Sequence, residues 1–317
     1  MPSWVLSATA FILGLVILSS GAEALIKGAI RMARLLRMSP IVIGLTVVAF
    51  GTSAPEMGVA LSAALSGKPD ITMGNILGSN IANTGLILGL GALLTPLPVR
   101  LRMLRIEIPL LVVVSTVLWA SAIMGHPGRL SGLALLIIFT AYCLTLYRHS
   151  RKEPYIIQIE FEKSVNNRNS FWFDIALVIA GLTGLVIGSK SLVWGAERIA
   201  VHLGVPELIV GLSLTAVGTS LPELATTLAA ARKGQTDLIL GNVVGSNLSN
   251  LCAVLGVTAF ITPIGINPDL LYRDFPVMMA FSLILLPVMR TGMKVTRWEG
   301  AALLLSYGAY VISLAIF

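Results

Sequence analysis

Apolar stretches long enough to cross a lipid bilayer follow one another along the whole of this 317-residue chain, and few folds accommodate that. A spanning helix needs about 20 predominantly apolar residues. Windows of about that length predict ten helices, at about 4–27, 40–66, 71–95, 104–124, 129–147, 172–197, 207–231, 238–262, 271–290 and 297–317. The breaks carry turn chemistry, as in Ser66-Gly67-Lys68-Pro69, Thr95-Pro96-Leu97-Pro98 and Gly125-His126-Pro127-Gly128. Only 12% of the residues are charged, about half the share of a soluble domain. A soluble fold of this composition would have a greasy surface, so the expected class is an all-α polytopic membrane protein.

The basic residues sort by side. Of the 22 Lys and Arg, 17 fall in the connections after helices 1, 3, 5, 7 and 9. The positive-inside rule then puts the polar 148–171 segment in the cytoplasm of a cell-membrane protein, with both termini outside. The net charge of +7 is thereby a topology signal, and no nucleic-acid partner is implied. Nor does any feature imply an obligate protein partner or a cofactor. The first apolar run lacks a basic leader and an A-x-A cleavage site, and is expected to stay as a helix. Cys143 and Cys252 lie inside apolar runs and are expected to be inert.

A repeat organises the chain. Residues 44–96 align with 211–263 at a constant offset of 167, without a gap, and 24 of the 53 positions are identical. Of the 24, 17 are Gly, Thr, Ser, Pro, Glu, Asp or Asn, which greasy composition alone does not produce. Five helices belong to each copy, so an odd number of crossings places the second half upside down relative to the first. The expected architecture is two inverted five-helix repeats, 1–147 and 172–317, joined by the 148–171 linker. Inverted repeats around a central site are a recurrent transporter design, and a channel needs no such symmetry.

The chemistry lies within the repeat. Gly51-Thr52-Ser53-Ala54-Pro55-Glu56 and Gly218-Thr219-Ser220-Leu221-Pro222-Glu223 both fall in mid-span. Proline removes a backbone N–H and clashes with the carbonyl four residues back, so each helix is expected to break there. Broken backbone within a membrane needs another partner, and a bound cation is one. Thr52, Ser53 and Glu56, with Thr219, Ser220 and Glu223, offer hydroxyls and carboxylates beside the freed carbonyls. Such hard oxygens suit Ca²⁺, and the neutral ones suit Na⁺. The next helix of each half reads Gly74-Asn75-x-x-Gly78-Ser79-Asn80-x-x-Asn83 and Gly241-Asn242-x-x-Gly245-Ser246-Asn247-x-x-Asn250. Asn75, Ser79 and Asn83, spaced i, i+4, i+8, share one face, whereas Asn80 and Asn247 are candidates for capping or cross-linking helices, and the glycine pairs let helices approach closely. Two intramembrane glutamates in matched motifs point to function. Asp70 and Asp237 instead open helices, where a carboxylate complements the helix dipole. Glu23, Lys190 and Glu197 lie within spans without a motif.

At these motifs the sequence resembles the cation/Ca²⁺ exchanger superfamily, and most closely the prokaryotic sodium/calcium exchangers. The resemblance covers the full chain and implies a Na⁺/Ca²⁺ antiporter. It implies Glu56 and Glu223 as the principal Ca²⁺ ligands, with the carbonyls of Thr52 and Thr219. It further implies Na⁺ sites at Ser53, Ser79, Ser220 and Ser246 with the carbonyls of Ala49 and Ala216. Asn83 matches the family's asparagine, whereas Asn250 stands where the second repeat often carries an aspartate. The expected activity is alternating-access exchange of Ca²⁺ for Na⁺. Proton/Ca²⁺ exchange is the alternative, and a cation channel or a membrane-embedded hydrolase fits the residues less well.

Overall fold

The computed structural model of the chain describes residues 3–36, 38–125, 127–150, 171–203 and 218–316. These residues are almost wholly helical. In chain order the helices are α1 (Ser3–Leu35), α2 (Pro40–Thr52), α3 (Ala54–Leu65), α4 (Pro69–Leu94), α5 (Met103–Met124) and α6 (Arg129–Ser150). They continue with α7 (Phe171–His202), α8 (Leu221–Arg232), α9 (Thr236–Ile261), α10 (Leu270–Met293) and α11 (Arg297–Ile316). Seven are long and apolar enough to cross a membrane, and the bent pair α2–α3 raises the number to eight. The sequence-predicted span 207–231 begins outside the described residues, as does most of the 148–171 linker. Burial sorts the spans. The apolar window of α9 is wholly buried and that of α4 is 78% buried, whereas those of α1, α6 and α7 are largely exposed. The two helices that carry the Gly-Asn-x-x-Gly-Ser-Asn motifs therefore form the centre, and the more apolar helices face outward to lipid, as membrane solvation demands.

The longest helices, α1 and α7, pack along one another through glycines at seven-residue spacing: Gly14, Gly21 and Gly28 on one, Gly181, Gly188 and Gly195 on the other. A Cβ on Gly14 would lie 2.4 Å from the backbone N of Leu192, and one on Gly188 would lie 2.4 Å from that of Leu18. The contact partners run in opposite chain directions, so the helices are antiparallel. Each glycine of one trio is 167 residues from its counterpart, which extends the repeat beyond residues 44–96 and 211–263. Between lipid-facing helices apolar burial drives little association, and close backbone packing of this kind supplies it instead.

Short tethers join the ends. Leu97–Pro98 (β1) pairs antiparallel with Lys294–Val295 (β2), and the backbone N–H of Ile264 donates to Pro127 O at 3.2 Å. Positions 264 and 127 are the repeat counterparts of 97 and 294. Arg100 pairs with Asp237 at the start of α9, so Asp237 is a structural carboxylate, as its helix-opening position suggests. A second buried acidic pair, Glu107 and Asp274, is also 167 apart. Each ends a π-helical turn (Met103–Glu107 and Leu270–Asp274). Arg102 holds Glu107 at 3.3 Å, while Arg273 at 3.1 Å and the Tyr310 hydroxyl at 2.6 Å hold Asp274.

Candidate cation site

The Pro-Glu motifs break their helices as the proline chemistry requires. Ser53 (φ −78°, ψ 5°) and Ser220 (φ −86°, ψ 2°) leave helical geometry in the same way, and α2 and α3 meet at a 43° bend. Glu56 and Glu223 then fall in the first turns of α3 and α8, close to the positive ends of those helices. Both side chains are wholly buried, at 0% exposure.

The two halves exchange hydrogen bonds across this centre, and the bonds repeat at the same offset. Asn75 Nδ2 donates to Glu56 O at 3.2 Å, and Asn242 Nδ2 donates to Glu223 O at 3.5 Å. Thr52 Oγ1 donates to Asn242 Oδ1 at 3.2 Å, and Thr219 Oγ1 donates to Asn75 Oδ1 at 3.5 Å. Each asparagine thus ties the glutamate segment of its own half to the threonine of the other. Ser53 Oγ donates to Glu223 Oε1 at 3.4 Å, which also crosses between halves. The carbonyl of Ala49 receives the Ser53 N–H at 3.0 Å, Thr52 Oγ1 at 3.2 Å and Ser246 Oγ at 3.4 Å.

The rest of the polar lining makes no close hydrogen bond. Both oxygens of Glu56, Oε2 of Glu223, the hydroxyls of Ser79 and Ser220, and both side-chain polar atoms of Asn83 and Asn250 are buried without a hydrogen-bond partner. Ser79 and Ser220 lie beside Glu56, and Ser246 beside Glu223. Asn83 opens the π-helical turn Asn83–Leu88, and Asn250 lies within Ser249–Val254. Such insertions in an α-helix are frequent at functional sites. Buried polar groups ordinarily find partners, and each exception calls for an explanation. Nine such atoms belong to these residues, and seven of the nine are oxygens, which is the donor set a hard cation takes. Among the described residues there is no cluster of three or more His, Cys, Asp or Glu. The lining therefore consists of two carboxylates among neutral oxygens.

The structure places Glu56, Glu223, Thr52, Thr219, Ser53, Ser220, Ser79, Ser246, Asn83 and Asn250 in the buried centre of the molecule. The carbonyl of Ala49 joins them, and Ala216 lies outside the described residues. Asn80 donates to Ile76 O in its own helix at 2.8 Å, whereas Asn247 donates to Thr84 Oγ1 at 2.9 Å on α4. Gly241 and Gly245 do allow close approach, since a Cβ on Gly241 would lie 2.7 Å from Ile41 O. The counterparts of those neighbours for Gly74 and Gly78 fall at 208–216, outside the described residues. Sequence reasoning missed Asn75 and Asn242 as links between halves. Their repetition was a visible signal, but their partners are not deducible from spacing.

A cavity of about 840 Å³ leads to this centre between α3 and α7. Pro55, Gly218 and Thr219 line it beside the site, and Ser66 and Lys68 line it at the far end of α3. The counterparts of these two helices behave differently. There α1 packs along α8, and Lys233 Nζ donates to Glu23 O at 3.4 Å.

Comparison with known proteins identifies the family and the fold. The putative antiporter CaxA of Alkalimonas amylolytica is 39% identical over 312 residues, covering 96% of this chain and 98% of that one. The sodium/calcium exchanger MaX1 of Methanosarcina acetivorans is 34% identical over 338 residues, covering 96% and 97% respectively. A solved structure of the sodium-calcium exchanger NCX_Mj, soaked with zero Na⁺ and Ca²⁺, superposes with a TM-score of 0.85 at 32% identity, covering 98% of this chain and 99% of that one. Residues 6–148 and 173–315 each match the family described as sodium/calcium exchanger protein. The chain is a polytopic membrane protein with the NCX_Mj fold, and it belongs to the sodium/calcium exchanger family.

Proposed function

We propose that this chain is a secondary antiporter that exchanges Ca²⁺ for Na⁺ by alternating access at one site built from Glu56 and Glu223. The observation that carries this reading is the pair of fully buried carboxylates on matched, proline-broken helices, among buried hydroxyls and amides that make no close hydrogen bond. Ca²⁺ between two glutamates is neutral as a complex. Without a cation, two carboxylates face each other away from water, where repulsion and desolvation are severe. That state resists closure, so the carrier changes face only when loaded, and loading by either ion uses the same carboxylates. Na⁺ is held by the Ser53, Ser79, Ser220 and Ser246 hydroxyls with the carbonyls of Ala49 and Ala216. Asn83 and Asn250 add neutral amide oxygens.

The proposed architecture is ten spanning helices in two inverted halves, 1–147 and 172–317, with the 148–171 segment cytoplasmic and both termini outside. It is supported by the 167-residue offset of the cross-half hydrogen bonds, by the antiparallel glycine packing of α1 on α7 and by the match of each half to the same family. The cavity between α3 and α7, set against the packed pair α1 and α8, supports a state open to one face. On the proposed orientation that face is the outer one.

The test is radioactive Ca²⁺ uptake into sealed proteoliposomes under imposed Na⁺, K⁺ or pH gradients, each at clamped membrane potential. An outward Na⁺ gradient is expected to drive uptake and the others are not. Uptake driven by a pH gradient and indifferent to Na⁺ would replace this reading with proton/Ca²⁺ exchange.

A further inference from the structure

We infer that Lys190 is a specificity-determining residue that weakens divalent more than monovalent cation binding at the two-glutamate site, by acting through space across the cavity. The inference rests on the proposed exchange function. Lys190 belongs to a stripe on α7, with Val186, Val193, Trp194 and Glu197, that forms one wall of the cavity. The stripe has helical i, i+3/i+4, i+7 spacing, so these side chains share a face. Its height along the site is fixed from both sides. Leu182 fills the space at Gly51, and Val193 fills it at Gly218, so Lys190 stands between the levels of the two broken motifs. Its side chain is exposed, and it makes no ion pair or hydrogen bond with the described residues.

A cation path lined with an ammonium group is unexpected for a cation carrier. The low-dielectric walls of a cleft focus the field of a fixed charge, so a cation at the Thr219 end is repelled by it. Coulomb energy is proportional to the charge of the ion. If Lys190 weakens Na⁺ by a factor n for each ion, it weakens Ca²⁺ by n². The consequence suits a carrier that must release Ca²⁺ on the face to which this cavity opens. Glu197, seven residues and about 10 Å further along the helix, lines the same wall with the opposite sign. Its removal acts in the opposite direction, and less strongly if it lies farther from the site.

The experiment is equilibrium binding of radioactive Ca²⁺ to the purified full-length protein in detergent, with displacement by Na⁺. The variants are Lys190→Met, Lys190→Gln, Lys190→Arg and Glu197→Gln. Loss of the Lys190 charge is expected to tighten Na⁺ half-saturation by a factor of about three and Ca²⁺ by about its square, tenfold, because Coulomb energy scales with the charge of the ion. Lys190→Arg is expected to match the parent, and Glu197→Gln to weaken Ca²⁺. Raising the ionic strength with choline chloride is expected to shrink the difference between parent and Lys190→Met, which a packing effect would not do. Unchanged Ca²⁺ affinity in Lys190→Met, or equal fold-changes for the two ions, overturns the inference and leaves the exchange function standing. In that case Lys190 merely extends its stem along the apolar wall. A parent protein that binds neither ion refutes the function, and this inference with it.

Discussion

Replacing Glu223 by glutamine removes one unit of charge from the site and little else. Glutamine has nearly the same shape, and its Oε1 can still accept the Ser53 hydroxyl that lies 3.4 Å from the native carboxylate. The side chain has no solvent exposure, so water cannot make up the missing charge. A Ca²⁺ ion bound there would leave one positive charge uncompensated in a buried place. Breaking a buried charge pair by removing one partner costs about 3–5 kcal/mol. At about 1.4 kcal/mol per decade, Ca²⁺ affinity should fall by roughly two to three and a half decades. The fold should hold, because the substitution relieves a like-charge contact and opens no void. Because the site is built from repeat counterparts, Glu56→Gln should lose a similar amount. The assay is initial Ca²⁺ uptake against Ca²⁺ concentration in proteoliposomes, with detergent gel filtration and thermal unfolding as controls for folding. A half-saturation constant within tenfold of the parent for either variant would refute the shared two-carboxylate site.

Three further outcomes are expected. Single cysteines at Asn166 and near Met1, in a background lacking Cys143 and Cys252, should react with an impermeant thiol reagent in intact cells only near Met1; labelling at Asn166 would reverse the orientation. Asn250→Asp should keep Na⁺-driven Ca²⁺ exchange and gain a pH dependence that the parent lacks at that position, read from initial flux between about pH 5 and 8; loss of Na⁺-driven flux would show that the amide is required. Gly188→Val should push α1 and α7 apart, because even a Cβ would lie 2.4 Å from Leu18 N. Overpacking of this kind costs about 1–3 kcal/mol, read as a lower melting temperature in detergent. Gly308→Ala, where a Cβ meets nothing within 4 Å, should not lower the melting temperature, and alanine's better helix propensity should raise it slightly.

Much of the site was legible because its signals are local. A proline followed by a glutamate in the middle of an apolar run dictates both a helix break and a buried charge, and its recurrence at a fixed offset removes chance as an explanation. The helix limits near Ser66–Pro69, Thr95–Pro98 and Gly125–Gly128 were equally legible from turn chemistry. What stayed hidden depends on contacts between halves. Asn75 and Asn242 carried no sign that each would bond to the threonine across the centre. The π-helical turns at Asn83 and Asn250 follow from packing and have no propensity signature. The glycine heptads of α1 and α7 were visible in principle, since Gly14, Gly21 and Gly28 recur 167 residues on. Six of the seven other identities between those helices at this offset are Leu, Ile or Ala, however, which apolar composition alone produces. Lys190 could not be assigned from sequence because its meaning depends on the cavity it faces.

On the proposed mechanism Na⁺ and Ca²⁺ take turns at one pair of carboxylates, so neither ion crosses without the other. The most direct measurement is unidirectional efflux of radioactive Na⁺ from proteoliposomes at zero membrane potential, with and without Ca²⁺ on the opposite side and no external Na⁺. The expected result is efflux that requires external Ca²⁺, is matched by Ca²⁺ uptake, and disappears in both Glu56→Gln and Glu223→Gln. Na⁺ efflux that proceeds unchanged without external Ca²⁺ would contradict the shared site.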